Sequence, residues 1–217
     1  MTLKFDGVVN QYTTKYLECG DSPVSLLCPK GRQDLRFRAI DEFITRDGIT
    51  ILDYGCGLGH LFSYLSEFEQ RLTYVGVDMV SEFVSACTKK FSGQASFKLL
   101  PPEQEIPGGF DIVFASGVFN IKYGDPATSK QYVFERMQQL MAASTNVFIC
   151  DFLSENVDFR QCGAQHFSVS EIAEFCVSRL SRRFVIRHDL RPYEFTLIAF
   201  KDDEVAHPAS IFRSDVR

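Results

Sequence analysis

A three-layer α/β sandwich around a mostly parallel, seven-stranded sheet, with an antiparallel hairpin at its C-terminal edge, is the fold this sequence predicts. Three observations carry it. Short apolar runs alternate with helical patterns from about residue 33 onward, a glycine-rich turn follows the first of those runs, and the last two runs succeed one another with no helix between them. The 217 residues, 45% hydrophobic, suit one domain at ~100–200 residues per domain. Its expected parts are an N-terminal cap segment and helix over 1–47, a core over 48–202 and a tail over 203–217.

The elements follow in order. Phe37, Ile40 and Ile44 share one face of a helix over residues 33–46, which Asp47-Gly48 stops. A buried strand, Ile49 to Asp53, leads into Gly55-Cys56-Gly57-Leu58-Gly59 and a helix over about 61–68. The next strand, Leu72 to Val77, ends at Asp78, and a helix runs from Ser81 to about Phe91. Ala95 to Leu100 is a third strand, closed by Pro101-Pro102, and Phe110 to Ala115 is a fourth. Lys130 to Ala143 is a helix that buries Val133, Met137, Leu140 and Met141, and Asn146 to Phe152 is a fifth strand. Ser168 or Ser170 caps a last helix to about Leu180. Strands 184–188 and 195–200 then form the antiparallel pair. Ligands of such sheets lie beyond the carboxyl ends of the strands, where the strand order reverses.

Composition excludes several classes. Lys and Arg number 23 against 28 Asp and Glu, and no basic block appears, so no nucleic-acid partner is expected. No apolar run approaches the ~20 residues that cross a bilayer, and the first residues lack a secretory pattern. A cytoplasmic protein with no membrane partner is the expectation. The seven cysteines never stand at Cys-x-x-Cys spacing, which points to reduced, scattered thiols and no metal site.

Closely spaced glycines between a strand and a helix let backbone approach a ligand where a Cβ would clash. The dinucleotide fingerprint Gly-x-Gly-x-x-Gly/Ala would put a small residue at position 60, but His60 stands there. A phosphate-binding loop would need Gly-Lys-Ser/Thr, also absent. Asp53-Tyr54-Gly55-Cys56-Gly57-Leu58-Gly59, with Asp78 ending the following strand, resembles the class I S-adenosylmethionine-dependent methyltransferases. Phe110 to Asn120 resembles the fourth-strand segment of that family. Its Ser116-Gly117-Val118-Phe119-Asn120 ending, together with Gln33-Asp34-Leu35-Arg36-Phe37, is similar to a bacterial small-molecule subgroup.

The resemblance implies a Rossmann-like methyltransferase fold, S-adenosyl-L-methionine as cofactor and S-adenosyl-L-homocysteine as product. It also implies a cofactor set of Arg36, Asp53, Gly55, Gly57, Gly59, Asp78, Met79, Ser116 and Gly117, with Arg36 on the cofactor carboxylate and Asp78 on the ribose hydroxyls. Glu103 or backbone around Leu100 takes the adenine. His166, in the loop after the fifth strand, is a candidate base able to take a proton from a hydroxyl. Tyr123, Asp151, Asn120 and Phe119 border the same mouth, Tyr123 as a second catalytic candidate. The Asn/Asp-Pro-Pro-Tyr signature of base and amide methylation is missing, since this stretch reads Ala115-Ser116-Gly117-Val118. The expected reaction moves a methyl group to an oxygen or nitrogen of a small polar metabolite, a sugar for instance. The rival readings are a protein that binds the cofactor without catalysis and a nicotinamide oxidoreductase.

Overall fold

The computed structural model describes residues 3–28, 32–161 and 163–202. The whole of the expected tail, including His207, and Cys162 lie outside the described residues.

The chain opens with a helix not anticipated above, α1 (Phe5–Cys19), which buries only Val8 completely. Its aromatic side chains dock it on the body: Tyr12 and Tyr16 each sit edge-on 5.8 Å from Phe83, and Phe5 sits tilted 5.1 Å from Tyr123. The helix expected over residues 33–46 is one turn, α2 (Asp34–Phe37), tightened into a 3₁₀ stretch over Arg38–Phe43. Its apolar face is as expected, with Phe37, Ile40 and Ile44 all buried.

The remaining elements alternate: β1 (Thr50–Tyr54), α3 (His60–Leu65), β2 (Thr73–Asp78), α4 (Ser81–Lys90), β3 (Ser96–Leu99), β4 (Phe110–Ala115), α5 (Pro126–Ala143), β5 (Ser144–Ser154), β6 (His166–Phe167), α6 (Val169–Phe175), β7 (Phe184–Arg191) and β8 (Glu194–Phe200). Helix α5 starts earlier than its apolar spacing suggests. The Asp125 carboxylate accepts the Ala127 and Thr128 N–H groups, and Pro126 sits in the first turn.

The sheet runs β3-β2-β1-β4-β5-β8-β7. Its first five strands are parallel, and β8 is antiparallel to both β5 and β7. This is the expected mostly parallel sheet with an antiparallel C-terminal hairpin, plus one addition. The two-residue β6 pairs with β5 at Leu153 and Ser154, beyond the point where β4 stops pairing at Cys150. Since β8 holds the other edge of β5 as far as Leu153, β6 takes the place that β4 vacates.

Successive residues of each strand point to opposite faces, and the core divides accordingly. Leu52, Val113, Phe148 and Leu197 pack with Val133, Met137 and Leu140 of α5 and Ile172 of α6. Ile51, Phe114, Ile149 and Ile198 pack with Phe37 and Ile40, Leu61 and Leu65 of α3, and Cys87 of α4. Strand order reverses between β1 and β4, and both strands end at the same cavity.

Candidate cofactor and acceptor site

A cavity of about 790 Å³ opens at the carboxyl ends of β1, β2 and β4 and reaches under the segments before α2 and after β5. Small-molecule sites fall in the range of roughly 300–1,000 Å³. Among the residues expected to hold a cofactor, Arg36, Asp53, Gly55, Gly57, Asp78, Met79, Ser116 and Gly117 all line it; Gly59 does not.

The glycine loop forms the floor. Gly55 has φ +76°, and a Cβ there would lie 2.4 Å from a Val118 methyl carbon, so only glycine allows the turn after β1 to pass the segment after β4. Asp78 fastens this loop to the end of β2. One carboxylate oxygen accepts the Gly57 N–H at 2.8 Å and the other accepts the Val80 N–H at 2.9 Å. Burial pushes its pKa up to about 6, against the opposing pull of the Val80, Gly57 and Met79 N–H groups. Asp53 is buried more deeply and accepts a very short hydrogen bond from the Tyr74 hydroxyl. Burial pushes its pKa up to about 7; the Tyr74 bond opposes that rise and the neighbouring Asp78 charge adds to it.

The opposite wall is an ionic network. The Arg36 Nε and Nη2 groups donate to the two oxygens of Glu194 at 2.7 and 2.8 Å, and Arg191 donates to the same carboxylate at 2.8 Å. Asp151 accepts from the Ser116 hydroxyl at 2.6 Å, from the Gly117 N–H at 2.9 Å and from the Asn120 amide at 3.4 Å. Its Oδ1 lies 3.9 Å from Arg36 Nε. Burial works against the Arg36 charge, but Asp151 and Glu194 outweigh it and hold its pKa above the ordinary value. Burial also raises the pKa of Asp151, with Arg36 opposing. Arg36 Nη1 lies 3.1 Å from where a Cβ of Gly117 would stand, so a glycine there admits the guanidinium to the cavity wall. Sequence reasoning missed Glu194. It stands 158 residues from Arg36, and no local pattern links the two.

His166, on β6, is buried and borders the cavity. Its Nδ1 lies 2.7 Å from the Ser154 carbonyl, while Nε2 is screened from water and has no hydrogen-bond partner among the described residues. Tyr123 also borders the cavity, but its hydroxyl donates to the Val118 carbonyl at 3.2 Å and burial pushes its pKa well above the ordinary value. Its ring forms part of the cavity wall. Asn120 is pinned at both ends, its carbonyl oxygen accepting the Leu153 N–H at 2.8 Å. Phe119 is fully buried and stacks on Phe152 away from the opening. His60 bridges Gln33 and Asp21 at 2.8 and 3.1 Å. Beyond β3, Leu100 and Pro102 border the cavity and Glu103 is exposed outside it.

A parallel α/β sheet with a glycine loop and two buried carboxylates at its switch point defines an enzyme that takes a nucleotide-type cofactor. A family model described as a methyltransferase domain matches residues 45–170, and the chain belongs to this family, the class I S-adenosylmethionine-dependent methyltransferases. It is 29% identical over 158 residues to a candidate methyltransferase of Mycobacterium tuberculosis, Rv1506c, with 71% of this chain and 95% of that protein covered. Its fold is similar to that of two solved structures. The 1,6-didemethyltoxoflavin-N1-methyltransferase of Burkholderia thailandensis, bound to 1,6-didemethyltoxoflavin and S-adenosylhomocysteine, has a TM-score of 0.66 at 16% identity, covering 94% of this chain and 92% of that one. The magnesium protoporphyrin IX methyltransferase of Synechocystis PCC 6803, with bound S-adenosylhomocysteine, has a TM-score of 0.61 at 15% identity, covering 89% and 94%. Among the described residues no helix is long and apolar enough to cross a membrane.

Proposed function

We propose that the chain transfers the methyl group of S-adenosylmethionine to an oxygen or nitrogen atom of a small polar metabolite, and that the cavity described above holds both reactants. The observation that carries this reading is Asp78. Its carboxylate oxygens have two lone pairs each; the Gly57 and Val80 N–H groups take one on each oxygen, and the carboxylate keeps capacity to accept from a ribose hydroxyl. Gly55 and Gly57 form the floor beneath the cofactor, and Ser116 and Gly117 line the same cavity. Arg36 Nη1 is the guanidinium nitrogen not engaged by Glu194, and it is the one available to the cofactor carboxylate. Met79, Leu100 and Pro102 flank the adenine; since Glu103 is outside the cavity, backbone rather than that side chain meets the ring.

When bound, S-adenosylmethionine supplies a methyl group activated by its sulfonium. The protein's task is then mainly alignment, and holding the acceptor atom in line with the methyl group can remove roughly 7–11 kcal/mol of the barrier. A cofactor-binding protein without catalysis is the rival reading, and release of S-adenosylhomocysteine in the presence of an acceptor separates the two.

The test is calorimetric titration with S-adenosylmethionine, with NADH in parallel. S-adenosylmethionine alone should bind. Asp78→Asn should weaken that binding ~10–100-fold, because hydrogen bonds to charged groups contribute about 1.5–3 kcal/mol, with the circular dichroism unchanged. Binding of neither ligand, or unchanged affinity in the variant, sinks the assignment.

A further inference from the structure

We infer, on top of the methyl-transfer reading above, that His166 is the base that takes the acceptor's proton and that the group methylated is a neutral hydroxyl. The Ser154 carbonyl can only accept, so the 2.7 Å contact puts the proton of a neutral imidazole on Nδ1. Nε2 is then a bare lone pair. It is buried, with no donor among the described residues, on a ring that borders the cavity. Buried acceptors of this kind normally have a partner; since Nε2 is closed to water, the bound acceptor molecule supplies one by moving aside the side chains that cover it.

The ring is also held in place. Its neighbour Gln165 donates its N–H to the Asn120 carbonyl at 3.0 Å, and Ala164 bridges to Ile121. His166 stands beside Leu153, which stands beside Glu194, and all three border the cavity. The imidazole strand is thus two strand spacings, ~10 Å, from the strand bearing the carboxylate that holds Arg36. Catalytic hydrogen bonds of this type tighten only when the reactants are bound.

The chemistry selects the acceptor. A neutral amine attacks with its own lone pair before losing a proton, and thiols and carboxyls ionise more readily than alcohols. A hydroxyl is a weak nucleophile until a base draws off its proton. In the step, the hydroxyl oxygen forms a bond to the methyl carbon while the carbon–sulfur bond breaks and leaves its electron pair on sulfur. The hydroxyl proton passes to Nε2. The positive charge lost from sulfur reappears on the imidazolium, whose Nδ1–H still donates to Ser154, and solvent later takes the proton.

The test combines two measurements on the full chain. Long-range ¹H–¹⁵N spectra of the ¹⁵N-histidine protein saturated with S-adenosylhomocysteine should show Nδ1 protonated and Nε2 bare at position 166. His166→Gln should keep its affinity for S-adenosylhomocysteine within about twofold of wild type. Its kcat for S-adenosylhomocysteine release with methyl α-glucopyranoside or phenol should fall ~10²–10⁴-fold, with KM little changed. A protonated Nε2, undiminished turnover in the variant, or turnover with benzylamine but neither hydroxyl probe overturns the proposal. Where no probe turns over, the spectra decide. Failure of the wild-type chain to bind S-adenosylhomocysteine would instead count against the cofactor reading.

Discussion

The two walls of the cavity are built at different ranges along the chain. On the glycine-loop side, Asp78 reaches Val80 two residues away and Gly57 twenty-one away, and Tyr74 reaches Asp53 across the same interval. All of these lie within one β-α-β unit. On the other side, Ser116 reaches Asp151 over 35 residues, Leu153 reaches Asn120 over 33, and Arg36 reaches Glu194 over 158. The first wall is a property of a short segment. The second exists only when β4, β5, β8 and the turn of α2 have come together, so it should report on the integrity of the whole sheet.

The largest effect that would test this contrast is expected at Arg36. Its side chain is 12% exposed and that of Glu194 10%, so Arg36→Met leaves Glu194 and Asp151 buried with Arg191 as the remaining cation. Breaking a buried pair from one side costs about 3–5 kcal/mol, readable as a lowered urea midpoint. The double variant Arg36→Met/Glu194→Met should recover much of that loss, because the penalty comes from the abandoned carboxylate more than from the missing attraction. A single variant that loses under about 1 kcal/mol would show that the second wall does not depend on the pair.

This contrast also explains which features were legible in the sequence. Strand β4 falls on Phe110–Ala115 as its apolar run suggests, and Asp53, the glycines and Asp78 meet as their spacing within one β-α-β unit requires. Helix α1 was missed although Phe5, Val8, Tyr12 and Tyr16 recur at helical spacing; its docking face is mostly aromatic and only Val8 is buried, with Tyr12 and Tyr16 meeting Phe83 through ring edges. Strand β6 has two residues, too few to show a period. The start of α5 was legible in principle, in Asp125-Pro126, but a search for apolar spacing passes over a cap. For Arg36, sequence resemblance suggested a ligand carboxylate and the structure adds a protein one. Nothing near Arg36 in the chain distinguishes those two cases.

A middle-sized effect tests the glycine-loop wall through pH. Asp53 and Asp78 have pKa values raised to about 7 and about 6, so the folded chain binds their protons more tightly than the unfolded chain does. The stability they contribute is complete below their ordinary values near pH 4 and is lost as the pH climbs through 6 and 7. Asp53→Asn keeps an oxygen to accept from Tyr74 and removes one of the two ionisations. Urea unfolding at pH 4.5 and 7.5 should therefore show wild type losing more stability than the variant over that interval, by on the order of 2 kcal/mol. Exposed carboxylates such as Asp47 and Asp189, whose pKa values are lowered by Arg71 and Arg187, act in the opposite direction. They are present in both proteins and drop out of the difference. Parallel pH curves for the two proteins would mean that Asp53 does not bind its proton as its burial implies.

The smallest effect is expected where a locally encoded feature lies in the long-range wall. The Ser168 hydroxyl accepts the Glu171 N–H at 3.0 Å and caps α6 two residues beyond His166. Ser168→Ala removes that cap and should lower stability by about 1 kcal/mol. The ring of His166 is held by Ser154 and its strand by Asn120, neither of which involves the cap. The affinity for S-adenosylhomocysteine and the Nε2 signal of His166 should therefore stay at their wild-type values while the urea midpoint falls. A shifted Nε2 signal in Ser168→Ala would show that the cap helps to set the imidazole, so that local and long-range construction are coupled at this point of the cavity.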